Sequence, residues 1–173
     1  PVEEASTLPP WAYYSPRFYE AERERIFLRA WNFVGHGGRI PNSGDYAAFD
    51  LAGVPLILVR GRDGKPRAFA NSCRHRGAEM VQGEGRCNGF ACPYHGWAFG
   101  LDGSLRGRPH YHGPRDHDRE GSRAERDCLF EVRSAVWHDW VFVNIDGAAQ
   151  PFEDYMATAY KEYEGWDFSK TAL

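Results

Sequence analysis

The sequence predicts a mainly β, antiparallel domain with a helix at each end. Three observations predict this class. Short apolar runs separated by Gly-containing turns fill the middle of the chain, a capped amphipathic segment precedes them, and a second helix-like segment that begins at Pro151 follows them. The 173 residues are enough for one well-buried domain, or for one domain and a fragment of another.

The first predicted element is a helix that begins after Ser15. Serine is a preferred N-cap residue, and Pro16 suits the first helical position because no intrahelical partner exists for its backbone nitrogen. Residues 17–31 (RFYEAERERIFLRAW) carry a rough apolar stripe on an otherwise charged segment. Three glycines between residues 35 and 38 end this pattern, and residues 41–44 (PNSG) predict a turn.

Short strands are predicted next. Three apolar or alternating runs lie at residues 46–51, 55–60 and 67–72. Glycine-containing turns separate them. Asp102-Gly103, placed between residues 97–101 and 104–106, is a typical hairpin turn.

The last part of the chain predicts a loop, two further strands and a helix. Residues 106–127 are polar, charged and aperiodic, which indicates a long surface loop. Residues 129–132 and 136–145 return to apolar, β-branched composition and predict strands. Residues 152–164, which follow Pro151, predict the closing helix.

Composition excludes several classes of protein. A net charge of −3 gives no case for nucleic acid as a partner. No apolar run approaches the roughly 18–20 residues that span a bilayer, and the acidic, Pro-rich beginning lacks the apolar core of a secretory signal. We therefore expect a cytoplasmic protein without a membrane partner.

The four cysteines point to metal binding rather than to a disulfide framework, because the chain shows no export signal. Cys73, Cys87 and Cys92 lie within 20 residues and alternate with histidines. The surrounding stretch, residues 60–108, is basic, with nine Lys and Arg against four Asp and Glu.

Two short motifs carry the candidate chemistry. Residues 73–77 read CRHRG and residues 92–97 read CPYHGW, so each motif offers one thiolate and one imidazole. A Rieske-type [2Fe–2S] cluster needs this set, since two Cys hold one iron and two His hold the other. Cys73, His75, Cys92 and His95 are therefore the candidate metal and cofactor ligands, for one cluster per chain.

The motifs and their flanks resemble one known family. CRHRG followed by CPYHGWAFGLDGSL resembles the N-terminal Rieske domain of the large (alpha) subunit of Rieske non-haem iron ring-hydroxylating oxygenases, which include dioxygenases, mono-oxygenases and demethylases. The likeness extends upstream through residues 8–36 and downstream through residues 140–155.

The resemblance implies a fold, a function and partners. The fold is an antiparallel β-sandwich with a two-loop cluster-binding subdomain. The function is one-electron transfer from a flavin reductase or ferredoxin to a mononuclear iron in the same or a neighbouring subunit, and the assembly that the resemblance implies is a trimer. It also implies an N-terminal helical segment and first strand (1–44), a Rieske domain (45–147, with cluster loops at 73–97) and the start of a catalytic domain (148–173).

The resemblance also separates this chain from the respiratory branch of Rieske proteins. That branch has an additional Cys in each loop, where this chain has Ala78 and Tyr94, and a Ser that donates to cluster sulfur, where this chain has Trp97. Without that hydroxyl, we expect a midpoint potential in the lower part of the roughly −150 to +300 mV Rieske range.

The chain itself predicts no catalytic iron. A mononuclear Fe(II) needs two His and a carboxylate, and the nearest candidate set, His112 and His117 with Asp116 or Asp118, lies in a Gly- and Pro-interrupted segment. We expect that iron only in a catalytic domain absent from this sequence. The alternative is a stand-alone Rieske ferredoxin-like electron carrier.

Two further alternatives concern the metal site. Cys₂His₂ also suits a structural zinc, although zinc sites use different spacings from the Cys-x-His and Cys-x₂-His found here. Cys87 is expected to be a free loop thiol and Cys128 a buried small hydrophobe. Arg74 and Arg76 are either docking residues for an acidic electron donor or solvated loop charges.

Overall fold

Two antiparallel sheets form the centre of the part of the chain that the structure describes. The structure is a computed structural model that describes residues 4–112 and 125–168. The strands are β1 (Asn32–His36), β2 (Asp45–Leu51), β3 (Val54–Arg60), β4 (Pro66–Ala70), β5 (Glu84–Arg86), β6 (Phe90–Ala91), β7 (Ala98–Phe99), β8 (Leu105–Gly107), β9 (Glu131–Trp137) and β10 (Trp140–Asn144). Within the described residues, one sheet has the order β1-β10-β9-β4-β3-β2-β5 and the other the order β6-β7-β8.

The two sheets share one hydrophobic core. Ile57 and Phe69 of the large sheet pack with Phe90 and Phe99 of the small sheet, and all four are at most 2% exposed. Both candidate thiols belong to the same core. The predicted class, a mainly antiparallel β-sandwich with helices at both ends, is confirmed.

The first helix begins as predicted. Helix α1 (Pro16–Glu22) starts with Ser15 as its cap, whose hydroxyl accepts a hydrogen bond from the N–H of Phe18 at 3.3 Å. The helix continues as a π-helical turn over Arg23–Phe27. At the other end, the predicted helix at 152–164 is two short helices, α2 (Phe152–Tyr155) and α3 (Ala157–Glu162).

Both helical ends pack against the same part of the large sheet. The indole of Trp31 lies 5.1 Å from the ring of Phe152, and its N–H donates to the carbonyl of Gln150 at 3.0 Å. The guanidinium of Arg133 on β9 lies 4.8 Å from the Trp31 ring centroid. The N-terminal segment is therefore joined to the sheet through the residues that follow β10.

One predicted strand is wrong. The sequence predicts a single strand at 136–145, but the chain turns at His138 and Asp139 and forms the hairpin β9–β10. Both residues have positive φ, 48° and 65°, as a two-residue turn of the primed type requires. Neither is a glycine, so the turn has no strong sequence signal.

The candidate metal loops lie in one excursion of the chain. β4 and β9 are neighbours in the large sheet, with Phe69 opposite Glu131 and the N–H of Ala70 donating to the carbonyl of Phe130 at 2.9 Å. The chain therefore departs from this part of the sheet after β4 and rejoins it at β9, and in between β5 pairs with β2 at the edge of the sheet. The small sheet and both loops lie within this subdomain.

The predicted loop at 106–127 is only partly described. β8 extends into it, Glu125–Asp127 forms a 3-10 turn, and residues 113–124, including His117, Asp116 and Asp118, lie outside the described residues. In the described part of the chain, no helix is long and apolar enough to cross a membrane.

Candidate metal centre

The two candidate loops have the same backbone hydrogen-bond pattern. The N–H of Gly77 donates to the carbonyl of Cys73 at 2.9 Å, and the N–H of Gly96 donates to the carbonyl of Cys92 at 3.0 Å. In each loop the Cys N–H also donates to the carbonyl five residues later, at 2.9 and 2.8 Å. Both glycines have φ +71°, a left-handed conformation that glycine adopts without a steric penalty. The sequence therefore builds one turn twice.

The two thiols lie side by side in the interior. Cys73 is 3% exposed and Cys92 is 4% exposed, and their side chains are within hydrogen-bonding distance of each other. Each sulfur accepts hydrogen bonds from the backbone N–H groups two and three residues further on, at positions 75 and 76 or 94 and 95. Donors in this position stabilise negative charge on sulfur.

The two thiols differ in acidity. Burial raises the pKa of the Cys73 thiol, and the neighbouring Cys92 adds to that increase. Burial also raises the pKa of Cys92, but the backbone donors outweigh it and bring the pKa below its ordinary value. The backbone donors around Cys92 therefore favour its thiolate, the form that binds metals.

The two imidazoles form a second pair. The ring centroids of His75 and His95 are 4.6 Å apart, and both residues are partly exposed. Their Nδ1 atoms are nevertheless buried, and they have no hydrogen-bond partner among the described residues. Burial first, and then the charges of His95 and Arg76, lower the pKa of His75, which favours the neutral ring that binds metals.

These four side chains have the chemistry that a two-iron cluster needs. A buried nitrogen without a partner is unfavourable by about 1–3 kcal/mol, so two of them side by side indicate a ligand that satisfies both. A thiol pair beside an imidazole pair matches the ligand set of a Rieske cluster. Among residues 4–112 and 125–168, no group of three or more His, Cys, Asp or Glu side chains is arranged around a single ion.

Trp97 covers one of the imidazoles. Its indole is stacked on the His75 ring with a centroid separation of 5.0 Å and an interplanar angle of 1°. The residue is 5% exposed and also belongs to the shared core. Trp97 is thus both a core residue and a shield for the candidate ligand, two roles between which the sequence does not decide.

Asn71 positions the first loop, and sequence reasoning missed it. The residue is 2% exposed, its amide nitrogen donates to the carbonyl of Val81 at 2.7 Å, and its amide oxygen accepts from the N–H of Met80 at 3.0 Å. It therefore holds the far end of the loop close to β4. The available signal was a polar amide at the end of an apolar strand, two residues before Cys73.

Arg108 is the second residue that the sequence did not reveal. Its side chain is 1% exposed and forms an ion pair with Asp127, with 3.1 Å between Nη1 and Oδ2. Its Cζ atom lies 3.9 Å from the ring centroid of Tyr111 and 5.7 Å from that of Trp97. An Arg in a polar stretch normally indicates a solvated side chain, so no local pattern marks this one as buried.

The remaining cysteines lie outside the thiol pair. Cys87 and Cys128 are half-buried, and burial raises the pKa of the Cys87 thiol. Arg74 donates two hydrogen bonds to the carbonyl of Arg126, at 3.1 and 3.0 Å, while Arg76 is exposed. Arg74 is therefore an anchor between two segments as well as a surface charge.

Comparison with known proteins identifies the family. The profile of the Rieske [2Fe-2S] domain matches residues 30–117, just over half of the chain. The carnitine monooxygenase oxygenase subunit of Escherichia coli (strain K12) is 36% identical over 155 residues, which cover 89% of this chain and 40% of that protein. The biphenyl dioxygenase subunit alpha of Metapseudomonas furukawaii is 32% identical over 166 residues, which cover 91% of this chain and 35% of that protein.

Solved structures agree with the sequence relatives. The apo form of the quaternary ammonium Rieske monooxygenase CntA has a TM-score of 0.76 and 34% identity, covering 90% of this chain and 44% of that chain. Naphthalene 1,2-dioxygenase from Rhodococcus sp., bound to indole, has a TM-score of 0.76 and 32% identity, covering 90% of this chain and 35% of that chain. The chain spans about two fifths of the length of the curated relatives it matches first. It belongs to the Rieske [2Fe–2S] domain family, and its relatives are the large subunits of Rieske oxygenases.

Proposed function

We propose that Cys73 and Cys92 bind one iron of a [2Fe–2S] cluster and that the Nδ1 atoms of His75 and His95 bind the other. The observation that carries this proposal is the pair of buried, unpartnered Nδ1 atoms beside a buried pair of thiols. When bound, such a cluster accepts and releases one electron at a time. The domain would then carry electrons from a flavin reductase or ferredoxin to the mononuclear iron of an oxygenase.

The residues of the chain have separate tasks in this proposal. The backbone N–H groups at 75, 76, 94 and 95 stabilise charge on the two sulfurs. The shared core and Trp97 exclude water from the thiols and from one face of His75. The partly exposed rings of His75 and His95 provide the surface at which an electron partner can approach.

The proposal extends to the arrangement of the whole protein. The N-terminal helix and first strand occupy 1–44, the Rieske domain 45–147, and residues 148–173 begin a catalytic domain that carries the Fe(II) site. The greater length of the relatives supports a further domain. A trimeric, cytoplasmic oxygenase is the assembly that the family resemblance favours, and a natural reading frame encoding two His and a carboxylate downstream would support it.

Spectroscopy of ligand variants tests the assignment. The purified protein should contain two irons and two acid-labile sulfides per chain and give the EPR spectrum of a reduced His-ligated cluster. His75→Ala and His95→Ala should each abolish that spectrum. Cys87→Ser is the matched control, because its thiol lies outside the pair, and it should leave the spectrum unchanged.

The same experiment distinguishes the alternatives. A colourless protein with one zinc per chain would show that a structural zinc, and not a cluster, occupies the site. Loss of the spectrum in Cys87→Ser would contradict the ligand assignment.

A further inference from the structure

A buried ion pair lies behind the candidate metal centre. The guanidinium of Arg108, whose side chain is 1% exposed, lies 3.1 Å from the carboxylate of Asp127, whose side chain is 19% exposed. Removing a cation from water is unfavourable unless the protein compensates its charge. Arg108 nevertheless remains in the interior with a carboxylate partner and two aromatic faces.

A short series of contacts connects this charge to a candidate ligand. The Arg108 Cζ atom is 5.7 Å from the Trp97 ring centroid, and the Trp97 ring is stacked at 5.0 Å on the His75 ring. The Trp97 indole therefore contacts both the guanidinium and the candidate ligand. Because this region is buried, water screens the charge much less than it screens the exposed arginines of the same subdomain.

The sign of the effect follows from the charge of the electron. Reduction adds one negative charge to the cluster, so a nearby cation favours the reduced state and raises the midpoint potential. A nearby carboxylate favours the oxidised state and lowers it. We infer that the Arg108–Asp127 pair sets the midpoint potential of this domain, with Arg108 raising it and Asp127 lowering it. The inference rests on the proposed function, since it requires a cluster bound by His75 and the other three candidate ligands.

Charge-neutralising variants of the two partners test the inference. Midpoint potentials are measured by spectroscopic redox titration at one neutral pH and one ionic strength. Arg108→Gln should shift the potential to more negative values and Asp127→Asn to more positive values. The double variant should fall between the two single variants. Shifts in the same direction, or no shift in either variant, would overturn the inference.

A second ion pair provides the matched control. Arg106 on β8, two residues before Arg108, forms the same kind of pair with Asp102. The charged atoms are 3.2 Å apart, but the two side chains are 61% and 54% exposed. Arg106→Gln should therefore shift the potential less than Arg108→Gln does. An equal shift would mean that burial gives Arg108 no special influence on the potential.

A conservative variant separates charge from structure. Arg108→Lys keeps the cation and should therefore retain most of the parent midpoint potential. If the role of the pair were purely structural, the variants would change the melting temperature, but Arg108→Gln and Asp127→Asn would not shift the midpoint potential in opposite directions. If Arg108→Gln does not fold, Asp127→Asn carries the test alone, and an unchanged potential overturns the inference. A parent protein without a Rieske spectrum would instead refute the proposed function, because no potential would then exist to compare.

Discussion

Trp97 shows how a single side chain serves the core and the site together. Its indole stacks on His75 and also lies near the rings of Phe99 and Tyr111, at centroid distances of 6.5 and 5.8 Å. A ring of this size buries far more apolar surface than a serine in the same position would. The domain thus has apolar packing where the respiratory branch is expected to have a hydroxyl donor.

Removal of the Trp97 ring should destabilise the domain strongly. Trp97→Ala creates a large cavity beside the thiols. We expect it to lower the free energy of unfolding by about 3–5 kcal/mol and the melting temperature by on the order of 10 °C. The measurement is thermal unfolding at one fixed scan rate, since cluster loss makes unfolding irreversible. Trp166→Ala, at a residue 64% exposed, is the control and should shift the melting temperature by less than half as much.

The candidate ligands could be predicted from sequence because the residues that define them are local. Each loop is a five-residue turn with its own Cys, His and Gly, so the pattern is complete within CRHRG or CPYHG. The contributions of Asn71 and Arg108 could not be predicted in this way. Arg108 contacts Tyr111 three residues further on, but Asp127 is 19 residues away in the sequence, and only the tertiary fold brings this carboxylate to the guanidinium.

At the scale of elements, turns determine how well the strands could be predicted. Asp102-Gly103 is a standard hairpin signal, and β7 and β8 lie on either side of it. His138-Asp139 forms an equally tight turn without glycine, inside an apolar run that resembles one long strand. The hairpin between β9 and β10 was missed because its turn residues adopt positive φ without a sequence signal.

Two glycines with the same positive φ allow backbone strain to be distinguished from a side-chain clash when each is replaced by alanine. Gly103 and Gly64 both have φ +77°, but a Cβ at Gly103 would lie 2.5 Å from the Phe69 ring, whereas one at Gly64 would meet nothing within 4 Å. Gly64→Ala should therefore lower the melting temperature by only about 2–4 °C, from backbone strain alone. Gly103→Ala should lower it by about 5–10 °C, because the buried Phe69 must also move. Equal shifts of the melting temperature in the two variants would show that the clash with Phe69 does not destabilise the protein further.

At the scale of the whole molecule, Asn144 joins the segment that follows α1 to the segment that precedes α2. It is fully buried at the end of β10, and its amide nitrogen donates to the carbonyl of Arg29 at 2.9 Å. Its amide oxygen accepts from the N–H of Ala149 at 3.0 Å. The segment after α1 and the segment before α2 are therefore held by one side chain.

Replacement of Asn144 by a similarly sized apolar residue should loosen both ends. Asn144→Leu leaves the carbonyl of Arg29 and the N–H of Ala149 without the Asn144 amide as their hydrogen-bond partner. We expect it to lower the free energy of unfolding by about 2–3 kcal/mol and the melting temperature by roughly 5–10 °C. Hydrogen exchange should accelerate in residues 16–30 while β3 stays protected. Asn88→Leu, at an exposed position, is the control, and uniform exchange rates in both variants would contradict the assignment.

The position of residues 71–129 between two neighbouring strands has a consequence for assembly of the protein. Since the chain departs after β4 and rejoins at β9, every strand pairing of the large sheet except that of β5 lies outside the excursion. These strands can therefore pair without the excursion, but Ile57 and Phe69 gain their core partners Phe90 and Phe99 only when the excursion is in place. A host sheet that accepts this stretch must therefore supply two adjacent strand ends, an edge strand for β5 and an apolar face for Phe90 and Phe99.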